Sequence, residues 1–166
     1  PDAAVYWLAR MLSSGEDPRF ICRRLAILAS EDVGLASPQA MQMAAAAWTI
    51  TERIGMPECQ LTLSELAIYL ATCPKSNASA QAVWNAMRDV REGKTVPVPK
   101  FLRDGHYNGA SKIGHGDGYR NPHFDPAAEH QDYLGVDTTY FRPTNHGFEA
   151  EIRRRRSDQP GDANDA

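Results

Sequence analysis

Apolar residues in the first part of the chain recur every three to four positions, which is the spacing of an amphipathic helix. In the opening run, Val5, Leu8, Met11 and Leu12 fall on one face of such a helix. No segment shows the sustained alternation of apolar and polar residues that marks a half-buried strand. The pattern therefore predicts an all-α fold for residues 1–93, built from five helices with short connections.

Start and stop signals set the expected limits of these helices. Gly15 ends the first, and the second is expected to end near Val33. Gly93 ends the fifth. Each later helix is preceded by an N-cap followed by proline, by a capping box, or by a serine–asparagine cap; these signals are Asp17-Pro18, Ser37-Pro38, Thr62 with Glu65, and Ser76-Asn77.

The rest of the chain has a different composition. Residues 94–143 are rich in Gly, Pro, His and Tyr and show little periodicity, which predicts irregular structure. Thr144 is expected to open a last helix. The predicted organisation is one domain over 1–157, formed by a helical core at 1–93 and a loop-rich extension with the final helix at 94–157, followed by a disordered tail at 158–166.

Charge is distributed without a basic half. The net charge is −3, and residues 1–94 hold 9 basic and 10 acidic groups. This argues against a domain that binds nucleic acid through a broad positive face. The arginines Arg153, Arg154, Arg155 and Arg156 suit the negative end of a helix dipole. They also leave local phosphate contact open, although Asp158, Asp162 and Asp165 in the tail would compete with phosphate.

The cysteines indicate the redox compartment of the protein, and the first residue bears on whether the chain is a fragment. Cys22, Cys59 and Cys73 lie far apart, without the paired spacing of a zinc ribbon or a disulfide framework, and we expect buried, reduced thiols in a cytoplasmic protein. No apolar run approaches the roughly 18 residues of a membrane span. The chain opens on Pro1, which predicts a fragment whose missing part lies upstream.

Glu31 and Asp32 are adjacent acids at the expected end of the second helix, where the helix dipole disfavours carboxylates. The favoured interpretation is a structural corner, with a carboxylate accepting from the first N–H groups of the next helix or from Arg10 or Arg24. A subunit contact and a catalytic pair are the alternatives. Catalysis is disfavoured because neighbouring helical residues point about 100° apart and no metal-ligand spacing follows.

The loop-rich part holds two further candidate sites. All five histidines lie after residue 94, and they make a metal site conceivable; they are His106, His115, His123, His130 and His146. No zinc-type spacing supports such a site, and no metal is expected. The glycines of GHGDGY lack the strand, helix and lysine of a phosphate-binding loop, so positive backbone φ angles are the favoured explanation for them.

Five aromatic residues lie inside predicted helices, and the core is the default location for them; they are Tyr6, Trp7, Trp48, Tyr69 and Trp84. A subunit interface is the alternative, because aromatic residues are enriched there. The helix faces chosen as a candidate oligomer interface carry Tyr6, Trp7, Met41, Met43 and Trp48.

Several strings together resemble one protein family, in the order expected for it. They are DAAVYWLARMLSSGEDPRFICRRL, ASEDVGLASPQA, IYLATCPKSN, PVPKFLRD, GHGDGYRNPH, QDYL and RPTNHGFEAEI. Nearly the whole chain is similar to the C-terminal region of the replication-associated recombination protein A ATPases. These are bacterial relatives of the Werner-helicase-interacting ATPase.

The resemblance implies a fold, an assembly and a role. Family members are AAA+ ATPases related to clamp loaders that act at stalled forks and at DNA junctions, with single-strand binding protein and other replication proteins as partners. Their C-terminal region is a helical bundle similar to clamp-loader oligomerisation domains and forms a homotetramer. ATP and magnesium belong to the upstream module. The resemblance therefore implies a domain without catalytic or cofactor-binding residues, in the cytoplasm at the nucleoid.

The loop region departs from the family pattern. Asp117 occupies a usual lysine position, Gly135 replaces a proline, and His146 replaces an arginine. Each change removes positive charge or rigidity. These departures weaken the alternative function, a DNA-binding accessory module that would contact phosphates through the 112–120 loop, with Lys112 and Arg120, and through Arg153–Arg156.

Overall fold

The computed structural model describes residues 1–157, without the side chains of residues 129 and 130, and the regular elements in this range are all helical. The α-helices are α1 (Asp2–Ser13), α2 (Pro18–Leu28), α3 (Gln39–Ile54), α4 (Cys59–Thr72), α5 (Ala78–Arg91) and α6 (Phe148–Ser157). The predicted all-α class is confirmed. The tail expected at 158–166 lies outside the described residues.

The chain divides into two compact units. The first, called the helical unit here, contains Pro1–Asn85 and the described residues from Tyr140 onward. The second, the loop unit, is Ala86–Thr139. The division falls within α5, and α6 groups with the helical unit, whereas the sequence had placed it with the loop-rich extension.

Two connected sets of buried side chains form the core of the helical unit, where α2 packs against α3 and α4, and α1 packs against α4. The first set is rich in alanine along one stripe of α3; it contains Ala29, Val33, Ala40, Ala44, Ala47, Leu66 and Leu70. The second contains Leu8, Ile21, Cys22, Cys59, Leu63 and Ala67. Small residues on α3 allow neighbouring helices to approach closely.

Two of the predicted helix starts are confirmed and two are wrong. The Asp17 carboxylate accepts from the Arg19 N–H at 2.8 Å, and the Ser76 hydroxyl accepts from the Ala78 N–H at 3.2 Å. The Ser37 hydroxyl does not cap α3 but shares a hydrogen bond of 2.6 Å with the Tyr69 hydroxyl. Thr62 lies inside α4, which begins at Cys59.

The second helix was predicted to continue to about Val33, but its last turn is a π-helical turn, which is wider than a regular α-helical turn. After α2, the chain continues as a π-helical turn, Ala29–Val33, and a 3-10 turn, Gly34–Ala36. The Gly34 N–H donates to the Ala29 carbonyl oxygen, five residues earlier, which closes the wider turn. Gly34 has φ +52°, and a Cβ there would lie 2.8 Å from the Ser76 carbonyl oxygen. This position therefore requires glycine.

The loop unit contains little regular structure beyond the end of α5. Its 3-10 turns are Lys100–Leu102, Ala110–Ile113 and Pro126–His130. Among its described residues, the buried hydrophobic ones are Ala110 and Ala128, both of which are small. Several of its turns are held by side-chain oxygens that accept from backbone N–H groups. This unit therefore buries little apolar surface of its own.

The last helix begins later than predicted, at Phe148 instead of Thr144. The Thr144 N–H and hydroxyl each lie 2.8 Å from the Glu149 Oε2 atom. Thr144 therefore binds the first turn of α6 from outside the helix.

Candidate functional site

An open apolar groove of about 590 Å³ lies within the helical unit, between α2, α3 and α5. Its main apolar side chains are Ile27, Met41, Trp48, Val83 and Trp84, with Arg23 and Glu31 among its polar ones. We call this the helical groove. It is the place where two of the five predicted interface residues, Met41 and Trp48, come together.

Helix α5 contributes the exposed wall of the groove. None of its residues, all of which are described, is buried. Val83, Trp84, Met87 and Val90 are all exposed and follow helical spacing, so the helix carries an apolar stripe on its surface. The expectation that Trp84 lies in the core is therefore wrong. Sequence reasoning placed Trp84 in the core by default and did not include it in the candidate interface.

Tyr6 and Trp7 lie outside the helical groove, and the core interpretation is wrong for them too. They are 58% and 57% exposed. Their rings contact each other edge to face at 5.4 Å, and the Arg10 guanidinium lies 5.3 Å from the Trp7 ring. They form a separate aromatic patch on α1, and its role in an interface stays a prediction.

Met43 and Trp48 are partly buried and pack against the core. Met43 contacts the first set of core residues and Trp48 the second. Tyr69 also packs against the first set. Met43 and Tyr69 therefore pack against the core. Trp48 packs against the core and also lines the groove.

Glu31 and Asp32 lie in the π-helical turn between α2 and α3, as expected for a corner, and both are exposed. In the described part of the chain, neither carboxylate pairs with Arg10 or Arg24 or accepts from the first N–H groups of α3. The expected pairing is therefore wrong. Both acids lie at the C-terminal end of the helical segment, where solvent screens their charge from the helix dipole.

The arginine run at the end of α6 interacts with its own unit. Arg154 and Arg155 pair with Glu151 at 2.6 and 2.8 Å, and these bonds hold the pKa of the Glu151 carboxyl below its usual value. Arg153 donates to Asn145 at 3.1 Å, and Arg156 donates to the Phe141 carbonyl oxygen at 3.0 Å. These contacts compete with phosphate for the guanidinium groups.

The remaining candidate DNA contacts lie in the loop unit. Lys112 is exposed, and Arg120 lies 3.6 Å from the Asp125 carboxylate. They therefore lie in a different unit from Arg153–Arg156. Phosphate contact through these residues stays a prediction.

A buried carboxylate in the helical unit joins two of the strings that carried the family resemblance, IYLATCPKSN and RPTNHGFEAEI. Glu149 has no exposed surface, and its Oε2 accepts from the Ser76 hydroxyl at 2.9 Å in addition to the two Thr144 groups. His146 Nδ1 donates to the Lys75 carbonyl oxygen at 2.7 Å. Sequence reasoning missed this junction because Ser76 and Glu149 are 73 positions apart.

The rings of His106 and His115 are engaged in local contacts. His115 binds the Tyr107 hydroxyl at 2.6 Å and lies 3.4 Å from Arg103. His106 binds Asp104 through its backbone N–H and its ring, which lowers the pKa of the Asp104 carboxyl. Among the residues whose positions are described, no three His, Cys, Asp or Glu side chains are grouped as metal ligands. His130 has no described side chain.

Two of the three cysteines lie in the core. Burial raises the pKa of the Cys22 and Cys59 thiols. Cys73 is partly exposed at the end of α4.

We expect iodoacetamide to modify Cys73 alone in the native protein at pH 8, because a raised pKa and burial both reduce the reactive thiolate of Cys22 and Cys59. Raising the pH should increase the rate at Cys73, while the buried thiols react only after unfolding. Mass spectrometry of the native and denaturant-treated protein checks this. Two or three rapid modifications in the native sample would contradict the described burial.

Comparison with known proteins relates the whole chain to one family. The family model described as "MgsA AAA+ ATPase C terminal" matches residues 1–159. An uncharacterized AAA domain-containing protein of Mycobacterium tuberculosis is 53% identical over 158 residues, which are 93% of this chain and 35% of that protein. Replication-associated recombination protein A of Escherichia coli is 40% identical over 157 residues, 92% of this chain and 35% of that protein.

A eukaryotic relative is more distant. The ATPase WRNIP1 of Dictyostelium discoideum is 36% identical over 129 residues, 77% of this chain and 15% of that protein. The chain spans about a third of the length of its two bacterial relatives named above. No helix among residues 1–157 has the length and apolar character needed to cross a bilayer. By the extent of the family match, the chain belongs to the C-terminal domain family of the MgsA AAA+ ATPases, which includes the corresponding part of replication-associated recombination protein A.

Proposed function

We propose that this chain is a non-catalytic homo-oligomerisation domain, and that a tetramer is the assembly it forms. The observation that supports this most directly is the helical groove with the exposed stripe of α5. A contiguous apolar surface of this kind typically marks a protein interface in a folded domain. The proposed partner is a second copy of the same chain, because closed homo-oligomers form through surfaces that every copy carries.

The parent protein is proposed to be a AAA+ ATPase that acts in DNA replication, recombination and the repair of stalled forks. The family supports this role, as does the name of the Escherichia coli relative, replication-associated recombination protein A. ATP and magnesium would bind an upstream module, and no cofactor is assigned to the described residues. DNA, single-strand binding protein and other replication proteins would be partners of the parent protein, in the cytoplasm at the nucleoid.

Assembly would serve the parent by holding several ATPase modules together. Tethering converts encounters between modules into intramolecular events and raises their effective concentration to the millimolar range or so for short linkers. The domain would then contribute to activity without touching nucleotide.

The proposal predicts that exposed groove residues control the oligomeric state. Replacing Trp84 by serine should raise the dissociation constant for self-association by roughly 10–100-fold, because an aromatic residue at the centre of an interface contributes strongly to binding. Trp84 is 47% exposed, so the fold should survive, which far-UV circular dichroism can verify. Analytical ultracentrifugation over a range of micromolar concentrations measures the effect.

Ile68→Ser is the matched control, because Ile68 is an exposed residue of α4 outside the groove. It should leave self-association unchanged. A wild-type chain that stays monomeric throughout the concentration range would refute the proposed function. Equal weakening by both substitutions would refute the assignment of the surface.

A further inference from the structure

Phe124 is the most exposed large hydrophobic residue in the described part of the chain, at 86%. It lies in the loop unit, on the turn formed by residues 121–127. A phenylalanine on a mobile loop can bury itself against its own chain. One that is held outward exposes its whole ring to solvent, which is unfavourable unless another surface covers it.

Hydrogen bonds hold this turn in one conformation. The Asn121 carbonyl oxygen accepts from the Phe124 N–H at 3.0 Å and from the Asp125 N–H at 2.9 Å. The Asn121 side chain accepts from the His123 N–H at 2.9 Å, and Asp125 accepts from the Ala127 N–H at 3.0 Å. Pro122 and Pro126 fix two further φ angles. The turn therefore presents Phe124 with little ordering left to occur on binding.

We propose that Phe124 of one copy inserts into the helical groove of a second copy. The groove supplies the apolar lining that the ring needs, and its two tryptophans, Trp48 and Trp84, allow edge-to-face contacts with a phenylalanine. This inference rests on the proposed function, since it names the element that fills the groove when the chain assembles.

The charge of the loop unit favours a second copy of this chain over nucleic acid as its partner. The loop unit holds 7 basic and 8 acidic residues, so it offers no net attraction to phosphate. Arg120 and Asp125 flank Phe124, and the groove carries Arg23 and Glu31. Arg120 and Asp125 pair with each other at 3.6 Å, and Arg23 and Glu31 are opposite in sign, so neither surface carries a net charge that would repel the other.

The contact joins two different patches, so an assembly of finite size requires that the contacts close by symmetry. Two copies can exchange their Phe124 turns reciprocally about a two-fold axis, or several copies can form a ring.

Substitution on the full chain tests the inserted residue. Phe124→Ser should raise the dissociation constant for self-association at least 10-fold in analytical ultracentrifugation, and Phe124→Leu should recover part of the affinity. Val98→Ser is the control, because Val98 is a 58% exposed residue of the same unit that is not part of the 121–127 turn. Wild-type association by Phe124→Ser, while Trp84→Ser dissociates, would overturn this inference and leave the proposed function intact.

Mixing the two variants tests the pairing itself. Phe124→Ser retains the groove and Trp84→Ser retains the phenylalanine, so a mixed pair keeps one intact contact, and an equimolar mixture should associate more tightly than either variant alone. Benzoylphenylalanine at position 124 should photo-crosslink two copies through peptides of α2, α3 or α5. A mixture that associates no more tightly than either variant alone, or adducts confined to one polypeptide or to other helices, would overturn the inference. A monomeric wild-type chain would overturn both the inference and the proposed function.

Discussion

Replacing Glu149 by alanine is expected to lower the free energy of unfolding by about 3–5 kcal/mol. The carboxylate is fully buried and accepts from the Ser76 hydroxyl and from both donors of Thr144. Its removal leaves one buried and two part-buried donors without their acceptor, and a cavity at the start of α6. Chemical denaturation followed by circular dichroism, at one fixed protein concentration, measures the loss.

Glutamine at position 149 separates hydrogen bonding from charge. It keeps one oxygen for Ser76 and Thr144, but it places an amide NH₂ where the Glu149 Oε1 atom lies buried without a partner among the described residues. We expect Glu149→Gln to cost about 1–2 kcal/mol, because the donors stay satisfied and the new NH₂ group does not.

Glu151→Ala is the control on the same helix, because Glu151 pairs with Arg154 and Arg155 at the surface. It should shift the denaturation midpoint far less than Glu149→Ala, since exposed ion pairs are screened by solvent. Equal shifts for the two alanine variants would show that the Glu149 hydrogen bonds do not hold α6 in place.

Local sequence signals predicted the helices well where the local backbone decides the structure. Asp17 caps α2 and Ser76 caps α5, in both cases because a side-chain oxygen reaches an N–H two residues ahead. Because these interactions involve neighbours in sequence, they can be predicted without knowledge of the fold.

The two helix-cap signals that failed were outweighed by contacts with residues elsewhere in the fold. Ser37 has the chemistry of a cap, but its hydroxyl binds Tyr69, 32 positions away. Thr62 and Glu65 have the spacing of a capping box, but α4 begins earlier and buries Cys59 and Leu63 in the core. A preference worth about 1 kcal/mol at a cap is smaller than the burial of a large apolar side chain.

The candidate groove was predictable only in part. Met41 and Trp48, chosen from the sequence as candidate interface residues, both line the groove, and their role in an interface stays a prediction. Periodicity identifies the apolar stripe of α5, but it cannot tell whether another helix covers that stripe. For the same reason, Tyr6, Trp7 and Trp84 were expected in the core and are exposed. Glu149 gave no signal, because an isolated glutamate near a helix start is ordinarily a solvated residue.

Substitution of Gly147 by alanine is expected to lower the free energy of unfolding by about 2–4 kcal/mol, because the site combines an unfavourable backbone angle with close packing. Gly147 has φ +52°, and a Cβ would overlap the Ala36 carbonyl oxygen and lie 2.8 Å from Pro74 Cγ. Gly15→Ala is the control: φ is +84° with no atom within 4 Å of the added carbon, so only the backbone term of about 1 kcal/mol applies. Denaturation midpoints should separate the two variants, and equal losses would contradict the close packing at Gly147. Because relief of the overlap must displace the start of α6 from Ser76, Gly147→Ala and Glu149→Ala should together cost less than the sum of their separate effects.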